Sequence, residues 1–179
     1  MSDLSDVRVL MIATDGFEQD ELFKPRQALL DAGAQVTLAS LKTDPITGEK
    51  GGEKGESITP DTTVDRVDSA EFDALVLPGG VGNPDKLRMN ERAVEIVGEF
   101  MDDEKLVAAI CHAPWLLVEA DVVDGREVTS WPSVRTDLEN AGADVVDREV
   151  VVDGNLITSR KPDDIPAFNR AVIDALSKG

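Results

Sequence analysis

Short apolar runs alternate with helix-like stretches along nearly the whole chain, and glycine, proline or aspartate marks most of the changes. Such alternation builds βαβ units, which require a parallel sheet covered by helices on both faces. The first unit is the clearest. Val7 to Ala13 is short, apolar and rich in branched residues, as a buried strand should be. Asp15-Gly16 breaks it. Glu18 to Ala32 has helical spacing, with Leu22, Leu29 and Leu30 assigned to the inner face, Pro25 early in the stretch and Gly33 at its end. Gln35 to Ser40 is the next strand. Asp44 to Pro60 interrupts the pattern with four glycines among charges, and reads as a surface excursion or a hairpin, the latter with Ile46 and Ile58 on its strands.

The alternation then resumes. Strands are expected at Asp73 to Pro78, Leu106 to Ile110, Val128-Thr129 and Asp144 to Val146. Glu149 to Val152 and Leu156 to Ser159 form a hairpin around Asp153-Gly154, a strong turn signal. Helices are expected at Glu91 to Met101, Ala113 to Ala120, Val134 to Ala141 and Asp163 to Leu176. No internal repeat, low-complexity tract or linker divides the 179 residues, a length suited to one domain. The reading is a single doubly wound α/β domain over residues 1–179.

Charge narrows the partners. With 36 acidic and 18 basic residues the net charge is −18. That argues against holding nucleic acid by its phosphates and against adsorption to an anionic membrane. Aspartates outnumber glutamates 22 to 14 and lysines number only eight. Self-repulsion of this size is screened when the Debye length falls to ~3 Å near 1 M salt, so a high-salt habitat is expected. The single cysteine rules out an intrachain disulfide, and no apolar run suits a membrane span. The N-terminus has no basic and apolar leader pattern, and the expected location is the cytoplasm.

In open parallel sheets, sites form beyond the carboxyl ends of the strands. Three expected strand ends carry chemistry: Thr14-Asp15-Gly16-Phe17-Glu18, Pro78-Gly79-Gly80, and Ala109-Ile110-Cys111-His112-Ala113-Pro114. Cys111 falls between strand and helix with almost no loop. Such a turn strains its central residue and projects the side chain outwards. The amides that follow open a helix and favour a thiolate, the nucleophilic form. His112, the only histidine, is a proton carrier beside it. Glu18 has two readings: a solvated first-turn carboxylate, or a group facing the thiol as hydrogen-bond donor or general acid/base. Gly79 and Gly80 are turn residues or, with the amide after Cys111, an oxyanion site. No nucleotide fingerprint is present, and one adjacent Cys-His pair rarely makes a zinc site, so no cofactor and no metal are expected.

Taken together these motifs resemble the DJ-1/PfpI superfamily, and within it the PfpI-like intracellular-protease branch. The resemblance rests on Gly16-Phe17-Glu18 with Glu21-Leu22, Phe72 to Gly80, Ala109 to Pro114, Thr129-Ser130-Trp131-Pro132 and Val150 to Arg160. It implies a flavodoxin-like, mostly parallel sandwich, related to class I glutamine amidotransferases. It implies Cys111 as nucleophile, His112 as its neighbour, Glu18 as the glutamate contacting the thiol, and the amides of Gly80 and His112 as oxyanion donors. Asp85 aligns with a carboxylate that reaches the histidine of a neighbouring subunit, which implies a homo-oligomer, dimer or hexamer. Two positions depart from the branch: Asp85 stands where glutamate is usual, and Ala113 where glycine is usual.

The activities implied are a cysteine peptidase or amidase acting on peptides, or a glyoxalase III or deglycase acting on methylglyoxal-type carbonyls. A compact Cys-His site leans towards small carbonyls. The rival from another class is a stress-response redox sensor or chaperone that uses an oxidisable Cys111 with little turnover. A glutaminase-type subunit would need a later histidine, and none follows His112.

Overall fold

The computed structural model describes residues 3–179. In chain order the elements are β1 (Arg8–Ile12), α1 (Gln19–Asp31), β2 (Gln35–Ser40), β3 (Ile46–Lys50), β4 (Glu53–Ile58), β5 (Thr62–Thr63), β6 (Ala74–Leu77), α2 (Gly82–Leu87), α3 (Glu91–Asp102), β7 (Leu106–Ile110), α4 (Pro114–Glu119), β8 (Glu127–Val128), α5 (Arg135–Asn140), β9 (Asp144–Val145), β10 (Val151–Asp153), β11 (Leu156–Ser159) and α6 (Ile165–Leu176). The main sheet runs β10-β11-β7-β6-β1-β2-β5. Every pairing in it is parallel except the β10–β11 hairpin.

The apolar strands are buried on both faces, and the two-residue strand period sorts their side chains into two cores. Leu10, Ile12, Leu75, Leu77, Val107 and Ala109 face one side, where Ile96, Val97 and Phe100 of α3 and Leu116 and Leu117 of α4 cover them. Val9, Met11, Ala74, Val76, Ala108 and Ile110 face the other, under Leu22 and Leu29 of α1 and Phe168 and Val172 of α6. This is the flavodoxin-like α/β architecture that the resemblance implies.

One local expectation is corrected, and two details go beyond the sequence pattern. Leu30, expected inside, is 36% exposed, and the buried stripe of α1 is instead Glu21, Leu22, Pro25 and Leu29. Spacings of three, four and eight from the first two of these keep the stripe on one helix face. The segments at Val128-Thr129 and Asp144 to Val146 pair with each other outside the main sheet. Finally, α2 was not anticipated. It opens on Gly82, with Pro84 in its first turn, and these residues read as loop when seen alone.

β1 is flanked by β2 on one side and β6 on the other, so the chain reverses its winding there. The crevice beyond the carboxyl ends of β1, β6 and β7 lies beside this switch point. The β3–β4 hairpin pairs Ile46 with Ile58 and turns through Gly51 and Gly52, both at positive φ. Its tip reaches the same crevice. Among the described residues, no helix is long and apolar enough to cross a membrane.

Candidate active site

β7 delivers Cys111 directly into the turn before α4, with Pro114 as the helix's first residue. Cys111 has φ 66°, in the left-handed region that few non-glycine residues adopt. Both of its main-chain groups are tied. Its N–H donates to the Ser159 carbonyl at 3.1 Å, and its carbonyl accepts from the Trp131 N–H at 2.9 Å. The strained elbow read from the sequence is therefore present, held by β11 on one side and the Trp131 segment on the other.

The thiol is 5% exposed and opens into a cleft of about 330 Å³. Its Sγ lies 3.0 Å from Nδ1 of His112. The amides of Gly80 and His112 face the sulfur, so the three groups named as nucleophile and oxyanion donors do converge. The turn that carries Gly80 is clamped by Asn83 of α2. Its Nδ2 donates to the carbonyls of Pro78 and Gly79, at 3.0 Å each, and its Oδ1 accepts from the Thr14 N–H at 2.8 Å. Asn83 is fully buried and ties the end of β1 to the end of β6. Nothing in its sequence surroundings signals that role.

The carboxyl group against the thiol is that of Glu21, not Glu18. Glu21 has no solvent exposure. Neither of its oxygens has a conventional hydrogen-bond partner in the chain, and the polar groups it faces are the amides of Gly79 and Gly80 and the Cys111 thiol. Burial, followed by repulsion from Glu18, raises it from the ordinary 4.5 to about 8, so Glu21 holds its proton at neutral pH. Glu18 precedes α1 and only lines the cleft, half-buried, beside Glu49. Burial and then Asp20 raise Glu18 above its ordinary value as well. The physical reason for the exchange is helical phase: α1 starts at Gln19, so its third residue turns inward whereas Glu18 stays at the mouth.

The thiol is also not the depressed acid expected from its helix-opening position. Burial pushes it up, and the two facing amides act in the other direction. Burial lowers His112, so its imidazole is neutral at pH 7. Transfer of the thiol proton to Nδ1 is the route to ionisation that this geometry offers. His112 is held by two tryptophans, Trp115 edge-on at 5.1 Å and Trp131 stacked at 5.6 Å between ring centroids. Its Nε2 lies 3.3 Å from Ser133 Oγ, a partner the sequence reading did not include. Asp85 is exposed on α2 and is not among the hydrogen-bond partners of His112 within the chain.

Among the described residues three glutamates line the cleft (Glu18, Glu21 and Glu49) and no lysine or arginine does. These acidic side chains, with no basic one to offset them, make the cleft unfavourable for anions. Alkylation of Cys111, the only cysteine, reads this directly. Iodoacetate should react roughly tenfold more slowly than iodoacetamide after correction by a free-thiol standard, a gap of about 1.4 kcal/mol from carboxylates several ångströms away in partly screened surroundings. Molar salt and the Glu18→Gln/Glu49→Gln double variant should both close it. Equal corrected rates in wild type at low salt would refute the charged mouth. Among the described residues no group of three or more His, Cys, Asp or Glu side chains is arranged to hold a metal ion.

Residues 7–175 match the DJ-1/PfpI family. The chain belongs to that family. It is 46% identical over 177 residues to General stress protein 18 of Bacillus subtilis, covering 96% of this chain and 98% of that one. It is 43% identical over 170 residues to the protein named deglycase PfpI of Pyrococcus furiosus, covering 95% and 99%. Among solved structures, DJ-1beta of Drosophila melanogaster superposes with a TM-score of 0.88 at 32% identity, over 100% of this chain and 92% of that one. In this DJ-1/PfpI chain Glu21, Cys111 and His112 all line one cleft.

Proposed function

We propose that this DJ-1/PfpI protein is a cysteine-nucleophile enzyme of the deglycase or glyoxalase III kind, acting on small reactive carbonyls and their adducts. The observation that carries the reading is a buried thiol 3.0 Å from the only imidazole and against a protonated glutamate, at the end of a cleft of about 330 Å³. The hairpin tip at Gly51-Gly52 walls one side of that cleft, which suits a small substrate better than an extended peptide. The relative named as a deglycase supports the choice.

The steps with methylglyoxal balance as follows. The Cys111 proton passes to Nδ1 of His112 as the sulfur bonds to the aldehyde carbon. The new oxyanion is held by the amides of Gly80 and His112 and takes the proton of Glu21. The Glu21 carboxylate then removes the proton from the sulfur-bearing carbon while the protonated His112 gives its proton to the neighbouring ketone oxygen, forming an enediol. Glu21 returns its proton at the adjacent carbon and takes back the proton of the first hydroxyl, giving a thioester with Glu21 protonated and His112 neutral. Water, activated by His112, cleaves the thioester to a hydroxy acid and restores the thiol. Overall one water is consumed and there is no net oxidation.

The test is a panel of methylglyoxal and short fluorogenic peptides with wild type, Cys111→Ser and His112→Ala. Conversion of methylglyoxal by wild type only is expected, with peptide cleavage at background. Peptide cleavage that depends on Cys111, without methylglyoxal turnover, would overturn the substrate assignment. Redox sensing takes second place, because burial works against a resting thiolate. The name of the Bacillus relative is what favours a stress role. His112→Ala separates the two, since a sensor would keep its peroxide reactivity at Cys111.

Association with further copies belongs to the same proposal. Val81 and Met89, 54% and 85% exposed, flank Asp85 and give this surface an apolar character suited to a second chain. Asp85 would meet a histidine only from there.

A further inference from the structure

His112 is the base in the proposed reaction, and its usefulness depends on which ring atom meets the sulfur. The tryptophan walls do not decide this. Trp115 and Trp131 fix the plane of the imidazole, but a half-turn about the Cβ–Cγ bond leaves that plane unchanged. The half-turn would put a carbon where Nδ1 meets the thiol. Two polar contacts exist only in the observed orientation: Sγ to Nδ1 at 3.0 Å and Ser133 Oγ to Nε2 at 3.3 Å. The first joins the reacting pair itself, so the second is the contact that supplies independent orientation.

The surroundings of Ser133 prepare it for this. It lies in the short 3-10 turn Pro132–Val134, immediately after Trp131, whose N–H is anchored on the Cys111 carbonyl. The same segment that stacks on the imidazole thus presents the hydroxyl to its far nitrogen. The near wall is pinned too, since Trp115 Nε1–H donates to Asp137 at 2.9 Å and the Arg88 guanidinium lies 5.5 Å from the indole ring.

We infer that Ser133 is a positioning residue for His112: its Oγ accepts from Nε2–H, which leaves Nδ1 bare and aimed at the Cys111 proton. The inference rests on the proposed role of His112 as base, but its tests read the histidine and the thiol directly.

One histidine and one cysteine make both readouts unambiguous. In wild type, the ¹⁵N imidazole spectrum should show Nε2 protonated and Nδ1 unprotonated at neutral pH. Ser133→Ala should slow iodoacetamide alkylation of Cys111 about fivefold, the size of one lost hydrogen bond. It should lower kcat by the same factor with KM within twofold. Ser133→Thr keeps the hydroxyl and should restore both. A proton on Nδ1 in wild type overturns the inference. So does Ser133→Ala alkylating at the wild-type rate. If wild type turns over no carbonyl while Ser133→Ala still alkylates slowly, the positioning role stands and the enzymatic reading falls.

Discussion

Glu21→Gln is expected to lower methylglyoxal turnover by at least about a hundredfold, whereas Glu18→Gln leaves it within a few-fold. The asymmetry follows from position. Glu21 faces the thiol and, at about 8, can both give and take a proton near neutral pH. General acid–base groups contribute roughly 10²–10⁴ to rate. Glu18 lines only the mouth. The same substitution has an opposite signature in stability. Glu21 is raised in the folded chain, so between its ordinary 4.5 and about 8 the folded state binds more proton than the unfolded one. Its contribution is fully present below 4.5 and is lost as pH rises to about 8. The loss runs at up to about 1.4 kcal/mol per pH unit. Glutamine has no such dependence. Urea unfolding from pH 4.5 to 9 should therefore show Glu21→Gln gaining on wild type up to about pH 8, then running parallel. Parallel curves across the whole window would mean that Glu21 is not the buried acid described here.

Gly79→Ala should remove both activity and much of the stability. A Cβ at Gly79 would lie 2.5 Å from Glu21 Oε1 and 2.6 Å from both the Cys111 Cβ and the Ile110 carbonyl oxygen. Two of these three neighbours belong to the elbow itself and cannot swing aside. Overpacking of this kind costs about 1–3 kcal/mol. Moving the thiol by ~1 Å costs about a hundredfold in rate. Gly80→Ala adds a left-handed φ of 80° to an overlap with the Gly16 carbonyl, and should be worse. Circular dichroism melts and Cys111 alkylation measure the two effects separately. An alanine variant at Gly79 with wild-type melting and alkylation would show that the turn is not the tight support of the thiol.

Residues close in sequence made the elbow legible. Leu106 to Ile110, Cys111, His112 and Pro114 are contiguous, so strand, nucleophile, base and helix start all appear in nine residues. The sheet was legible for a similar reason, because strands buried on both faces are uninterrupted apolar runs. Glu21 was harder to place than Glu18 because the decision turned on where α1 begins: Glu18 is the extended residue before the helix, and Glu21 lies within its first turn. The signal was there in the spacing of Glu21, Leu22, Pro25 and Leu29, a carboxylate inside an apolar stripe. Asn83 and Ser133 carried none. Their partners are the carbonyls of Pro78 and Gly79 and the imidazole of His112, and the last lies 21 positions away, in contact only once the chain has folded.

The left-handed backbone at Cys111 has a consequence for the history of such a chain. Every side chain other than glycine is disfavoured there by roughly 1–2 kcal/mol, whatever its chemistry. Serine or alanine at that position would lose the nucleophile and keep the strain, whereas glycine would shed both. Selection for stability alone therefore pulls residue 111 towards glycine, and a cysteine kept at φ 66° marks a position where reactivity has outweighed ease of folding.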